Sequence, residues 1–171
     1  MCATSPPPYR IERLADHNRE AFSCGEADMD RWFHETALQH NDRGLAVVQV
    51  MVENATGSVV GFYSLGNYSV LGSDLPKIGG KKMPPRMQVP MHLLGRLGVH
   101  HEYKRRGLGE TLVSHALQAA KSQTDVSASM GVVVDALNVA LVPWYKKLGF
   151  VPFPSDPLKL VMTMSAIGRV D

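Results

Sequence analysis

Cysteine is nearly absent: the chain of 171 residues holds two, Cys2 and Cys24. Two are too few for a disulfide framework, and their spacing is not that of metal ligands, so both are expected to be free thiols. An excess of one charge is lacking as well. Eighteen Lys and Arg stand against 16 Asp and Glu, a formal net charge of +2. That balance permits an acidic or nucleic-acid partner without requiring one, and the distribution of the cations matters more than their sum. No apolar run is long enough to cross a bilayer, so no membrane partner is expected. The opening MCATSPPPYR has neither the charged start nor the apolar stretch of a secretory signal, and a cytoplasmic location is the expectation. There is no internal repeat, and low complexity is confined to the proline-rich residues 5–8. What is present is an ordinary globular composition, 44% hydrophobic over 171 residues. Residues 1–171 are read as a single domain able to bury a substantial core.

Periodicity supplies the elements. Residues 9–14 alternate like a strand. Asp28 is placed to cap a helix with Met29, Trp32, Phe33, Thr36 and Ala37 on one face, and Gly44 to end it. Residues 46–53 and 58–68 are β-rich and flank Asn54-Ala55-Thr56-Gly57, which reads as a hairpin turn. Residues 72–90 carry four prolines, three glycines and the cations Lys77, Lys81, Lys82 and Arg86 without an apolar period, the mark of a long basic loop. An apolar run at 91–99 leads through a basic turn into a helical pattern with Leu108, Leu112, Ala116, Ala119 and Ala120 on one side. A short apolar strand follows at 131–134, then a helix at 138–148 ended by Gly149, then extended structure from Phe150 and a last strand at 158–165. Strand, helix, strand implies a parallel pair. The fold class is α/β (α+β), a mixed sheet with helices on its faces.

The basic turn is Lys104-Arg105-Arg106-Gly107-Leu108-Gly109. Two residues without Cβ stand where a helix begins and its first N–H groups lack intrahelical partners. Bare amides, the positive end of the helix dipole and three cations together suit a pyrophosphate. A Walker loop would need Lys and then Ser or Thr after its last Gly, whereas Glu110 and Thr111 follow here. A dinucleotide fingerprint would need Gly or Ala at the position of Leu112. The turn resembles motif A of the GCN5-related N-acetyltransferases (Gln or Arg, two residues, Gly, one residue, Gly or Ala). Lys104 at the first position keeps the charge and loses the fork geometry.

Asp135-Ala136-Leu137-Asn138 and Trp144-Tyr145-Lys146-Lys147-Leu148-Gly149-Phe150 resemble the C-terminal signature of the same family, with Asn138, Tyr145, Gly149 and Phe150 in register. Leu141 replaces the usual small residue, and Pro143 predicts an irregular first turn. The resemblance covers roughly residues 93–150 and implies a mostly antiparallel sheet whose central parallel strands splay at an acetyl-CoA site. The cofactor set it implies is Leu97, Gly98, Val99, Lys104, Arg105, Arg106, Gly107, Leu108, Gly109, Glu110, Asn138 and Tyr145. Attack of an amine on the thioester expels a thiolate whose conjugate acid has a pKa near 8.5, and a phenol beside the sulfur can supply a proton. Tyr145 is therefore the catalytic candidate, the alternative being an aromatic packed on the sheet beside Trp144. The developing oxyanion would meet an N–H of Leu97 or Val99.

Phe22-Ser23-Cys24-Gly25, the 37–39 and 43–46 runs, Leu94-Gly95-Arg96-Leu97 and Pro154-Ser155-Asp156-Pro157 look like the acetyltransferase toxins of bacterial toxin-antitoxin operons. That subfamily acetylates the α-amino group of aminoacyl-tRNA and blocks translation. It implies a ribbon-helix-helix antitoxin and a homodimer as partners, with Arg96, Lys77, Lys81, Lys82, Arg86 and Lys146 toward the substrate. Chemistry agrees in one respect: an α-amine titrates near about 7.7–8.0 and is partly neutral at pH 7, so it needs less help than a lysine near about 10.4. No residue offers itself as a general base, although an ordered water or Asp135 could serve. Arg96, a cation in an apolar strand, either lines the substrate groove or makes an edge salt bridge. His17, His34, His40, His92 and His115 lack metal-ligand spacing, and no metal is expected. Cys24 has no activating partner for a nucleophilic role. Two rival readings remain: an acetyltransferase for a small amine or protein N-terminus, and a non-catalytic binding module using the same basic surface.

Overall fold

A computed structural model describes residues 5–78 and 80–168; Cys2 lies outside them. The elements are β1 (Tyr9–Arg13), α1 (Ala27–Glu35), α2 (Ala37–Asp42), β2 (Val47–Glu53), β3 (Val59–Leu71), β4 (Gln88–Val99), α3 (Leu108–Ser122), β5 (Gly131–Asp135), α4 (Val142–Lys147), β6 (Val151–Pro152), β7 (Lys159–Thr163) and α5 (Met164–Ile167). The sheet order is β1-β2-β3-β4-β5-β7-β6. β1 with β2, β5 with β7 and β6 with β7 are antiparallel. β4 and β5 form the parallel pair that the strand, helix, strand order requires. Its register covers His92, Leu93 and Leu94 against Val132, Val133 and Val134.

The chain forms two compact units: the residues through Ser64 with Arg96–Val113, and Leu65–Gly95 with the residues from Ser114 onward. In the first unit, Phe62 of β3 stacks on Phe33 of α1, with centroids 4.2 Å apart. Its neighbour Gly61 points to the other face, where an added Cβ would come within 2.9 Å of Leu112 of α3. Adjacent strand residues face opposite sides, so helices cover both faces of this part of the sheet. Asn41 fastens α2 to the sheet. Its Oδ1 accepts from Val48 N–H and from the Arg13 guanidinium, both at 3.1 Å, and its amide donates to the Leu14 carbonyl at 3.1 Å. In the second unit, Val70, Leu75, Val89, Met91, Val133, Phe153 and Val161 form the core.

Four expectations are corrected. The first helix begins after Glu26 rather than Asp28, and breaks at Thr36 into α1 and α2. Asp30 is used elsewhere: its carboxylate accepts from Cys24 N–H at 2.8 Å and from the Ser23 hydroxyl at 2.9 Å. The long loop is shorter than 72–90, because β4 starts at Gln88, and it is folded back on itself. Gly72 N–H bonds to Met87 O at 2.9 Å, Ser73 N–H bonds to Pro85 O at 3.1 Å, and Leu75 is buried. Residues 138–148 are not one helix but a 3₁₀ turn, Val139–Leu141, followed by α4, with Pro143 in the first turn where it needs no N–H partner. The last strand stops at Thr163, whose hydroxyl accepts from Ala166 N–H and so caps α5.

Candidate active site

In the first unit β4 runs into the turn that the sequence singled out. His100 N–H donates to the Val60 carbonyl at 2.8 Å, and His101 N–H to the Ser23 carbonyl at 2.9 Å. Arg105 and Gly107 are left-handed, with φ of 65° and 77°. That curl lets successive N–H groups converge on an anion, and for Arg105 it is a conformation that L side chains avoid. The Gly107 carbonyl accepts from Thr111 N–H at 3.2 Å and from its hydroxyl at 3.0 Å, which makes Gly107 the N-cap of α3. The first amides of this 15-residue helix have no carbonyl of a preceding turn to bond. Beyond its two chain neighbours, no described residue has a heavy atom within 4 Å of the place where a Cβ on Gly107 would stand. Open space, bare amides and a helix dipole fit a pyrophosphate.

The three cations are not equivalent. Lys104 Nζ donates to the Cys24 carbonyl at 2.8 Å and so ties the turn to the segment before α1. The Arg106 guanidinium lies 4.8 Å from the centroid of Tyr103 and donates to the Glu102 carbonyl at 3.4 Å. Tyr103 in turn donates to Glu53 at 3.0 Å. Arg105 stays exposed. Leu97 and Val99 are half-buried on β4, and Gly98 between them answers to packing, since a Cβ there would meet the Phe62 ring at 2.9 Å. Arg96 lies over Trp32, 5.1 Å from its centroid, and Trp32 stacks on Phe62 at 6.0 Å. An aromatic face supports Arg96, which among the described residues is in no ion pair, and stacking leaves the in-plane donors of the flat guanidinium accessible to a further partner.

In the second unit Tyr145 is buried, 6% exposed, with its ring edge-on to Phe150 at 5.6 Å and to Trp144 at 4.9 Å. Gly149, at φ 107°, turns the chain so that Phe150 N–H reaches the Tyr145 carbonyl. Among the described residues no protein group hydrogen-bonds the Tyr145 hydroxyl. Burial first, and then the negative charge of Asp135, push this phenol up to about 12. Asp135 is exposed at the end of β5, opposite Lys159 in the β7 register, with Lys159 Nζ 3.9 Å from Oδ1. Asn138 is exposed and passes its carbonyl to Leu141 N–H at 3.2 Å; its side chain makes no cap. Lys77, Lys81, Lys82 and Arg86 in the basic loop and Lys146 in α4 are all exposed, and none is in an ion pair among the described residues.

Cys24 is buried, and burial raises its thiol to about 11, so it is not a nucleophile at neutral pH. His17, His34 and His100 bond to Glu12, the Phe22 carbonyl and the Ala21 carbonyl. Among the described residues no group of His, Cys, Asp and Glu is arranged to hold a metal ion. No described helix is long and apolar enough to cross a membrane. Sequence reasoning passed over Lys159, although a lysine within an apolar strand was a signal. It also passed over Trp32 as a platform for Arg96, because the two are brought together only by the fold.

The chain is 29% identical over 161 residues to the probable toxin TacT of Sinorhizobium fredii (strain NBRC 101917 / NGR234), covering 88% of this chain and 87% of the relative. It is 33% identical over 157 residues to a tRNA-acetylating toxin of Mycobacterium tuberculosis (strain ATCC 25618 / H37Rv), covering 92% and 91%. The structure of AtaT complexed with acetyl-methionyl-tRNAfMet matches with a TM-score of 0.86 at 26% identity, over 94% of this chain and 98% of that one. The model of the acetyltransferase (GNAT) family matches residues 11–150, both motifs included, and the chain belongs to that family.

Proposed function

We propose that this protein is an acetyl-CoA-dependent N-acetyltransferase that acetylates the α-amino group of aminoacyl-tRNA, and thereby acts as a toxin that blocks translation. The observation that carries the reading is the 33% identity, along 92% of the chain, to a tRNA-acetylating toxin. Residues 1–171 then work as one catalytic domain in the cytoplasm, as a homodimer, with a ribbon-helix-helix antitoxin as the neutralising partner. Acetyl-CoA supplies the acetyl thioester. The amides from Arg106 to Gly109, with Arg105, take its pyrophosphate, and Leu97, Gly98 and Val99 offer backbone to its arm. Lys104 holds the turn through Cys24 and keeps two further N–H donors for the phosphate.

In the transfer a C–N bond forms as the C–S bond breaks, the nitrogen loses one proton and the sulfur gains one. Tyr145 is the proton donor toward the sulfur, and an N–H of Leu97 or Val99 meets the charge on the carbonyl oxygen. A phenol near 12 is fully loaded at neutral pH. Complete transfer to a thiolate of conjugate-acid pKa near ~8.5 would run uphill by about 3.5 units, or about 5 kcal/mol. Tyr145 therefore works first as a hydrogen-bond donor to the departing sulfur, and the proton shed by the nitrogen closes the count.

Incubation with labelled acetyl-CoA and total charged tRNA, with polyamines and peptides as competing acceptors, tests the reading. Label is expected on aminoacyl-tRNA and not on uncharged tRNA. Label on a polyamine or a peptide N-terminus, with none on any aminoacyl-tRNA, would replace it with the small-amine or protein acetyltransferase.

A further inference from the structure

The second unit holds a cleft of about 400 Å³ whose lining includes neither Tyr145 nor the cations of the basic loop. Its cation is Lys159, whose ammonium donates to the Tyr68 hydroxyl at 2.7 Å and stands 5.2 Å from the centroid of that ring. The Tyr68 hydrogen bond and the charge of Asp135 hold Lys159 in its protonated form. Gln88 accepts the Ser69 hydroxyl at 2.6 Å on Oε1, which leaves its NH₂ with two donors to offer. Asp156 accepts Leu158 N–H through Oδ1 and keeps its other oxygen. Asp74 is exposed and, among the described residues, forms no ion pair.

This donor set narrows the occupant. An apolar side chain would strand the polar walls, a bare anion would meet Asp74 and Asp156, and a bare amine would meet Lys159. A ligand that carries a phosphate, a hydroxyl and an edge with both hydrogen-bond donors and acceptors satisfies all of them. We propose that the cleft takes one ribonucleotide of an unpaired RNA strand, with its phosphate on Lys159, its ribose 2′-hydroxyl on Asp74, and its base edge on the Gln88 amide and the free oxygen of Asp156. A carboxylate on the ribose 2′-hydroxyl reads RNA as RNA, because that hydroxyl is the donor that DNA lacks. Lys159 is bridged to Asp135, and the charge of Asp135 is felt by Tyr145, so the cleft is electrostatically coupled to the proposed proton donor. The unpaired 3′ end of a charged tRNA is such a strand, and the inference to that extent rests on the acceptor proposed above.

The test uses the full chain and the ribotrinucleotide CCA, the 3′-terminal sequence of tRNA, against its all-deoxy counterpart. Binding to the free protein is measured by NMR titration, and each trinucleotide is also used as an inhibitor of aminoacyl-tRNA acetylation. The RNA should bind about tenfold or more tightly than the DNA, the factor expected of one hydrogen bond to a charged group. Asp74→Ala should erase the difference, and Gln88→Ala should weaken both trinucleotides and raise KM for charged tRNA while kcat holds. Both side chains are exposed, so the variants should fold. Equal binding of RNA and DNA, or an RNA preference untouched by Asp74→Ala, overturns the cleft assignment. Absence of acetylation of any aminoacyl-tRNA overturns the acceptor reading instead, and the titration on the free protein still decides the cleft.

Discussion

Tyr145 shows how much a single residue's surroundings add to its identity. Its motif position was legible from Gly149 and Phe150, but its acidity was not, because a free phenol titrates near ~10 and burial beside Asp135 lifts this one to about 12. Tyr145→Phe keeps the ring against Phe150 and Trp144 and removes the donor. Turnover in a thioester-cleavage assay should fall by roughly 10² to 10⁴, with acetyl-CoA affinity unchanged. Full activity of that variant would assign the proton to water. The same shift sets a stability window. The folded-state pKa lies above the unfolded one, so the contribution is intact below about pH 10 and is lost as pH rises from about 10 to about 12, a difference on the order of 2–3 kcal/mol. Denaturant midpoints measured from pH 9 to 12 should drop in that interval. Tyr145→Phe should make the drop shallower but not remove it, because burial raises Tyr63 too.

At the scale of elements, what was legible was whatever chemistry the local sequence fixes. Gly107 and the helix start after it could be read because two glycines beside three cations stand where the apolar helical period begins. Gly109 in the first turn of α3 gives the direct test: Gly109→Glu should abolish acetyl-CoA binding by bulk and repulsion, and unchanged affinity of a folded variant in calorimetry would remove the pyrophosphate assignment. Illegible were the contacts that chain separation hides. Lys104 finds the Cys24 carbonyl 80 residues away, Arg96 finds the face of Trp32, and Asp30 serves Cys24 and Ser23 instead of leaving Asp28 to cap α1. β6, two residues long, is too short to carry an alternation. Asn41 belongs to the same class: nothing marks it in sequence, yet it is 5% exposed and ties β1, α2 and β2 together through four hydrogen bonds. Asn41→Leu should cost about 1–3 kcal/mol for each backbone group left without a partner, read as a lower denaturant midpoint.

For the molecule as a whole, the balanced net charge of +2 conceals local concentrations of cations, and this is where the proposed tRNA substrate would make its strongest demand. Element order and the parallel β4–β5 pair followed from periodicity and from strand, helix, strand connectivity, whereas the cleft containing Lys159 depends on tertiary placement that no spacing encodes. The basic loop lies between these cases: its composition announced it, and the fold adds that buried Leu75 and the hydrogen bonds of Gly72 and Ser73 anchor it while Lys81, Lys82 and Arg86 stay exposed. An anchored loop presents its charges in a fixed arrangement, so less ordering entropy opposes binding. Each phosphate met by one of these cations releases a counterion, and the logarithm of affinity falls with the logarithm of salt by about 0.7–0.9 per contact. Replacing Lys81, Lys82 and Arg86 together by Ala should flatten the salt dependence of KM for charged tRNA by up to about two to three units of slope, with acetyl-CoA affinity unmoved. Steady-state kinetics across a salt series measures this directly, and an unchanged slope would leave Lys146 and Lys147 as the contacts to the proposed substrate.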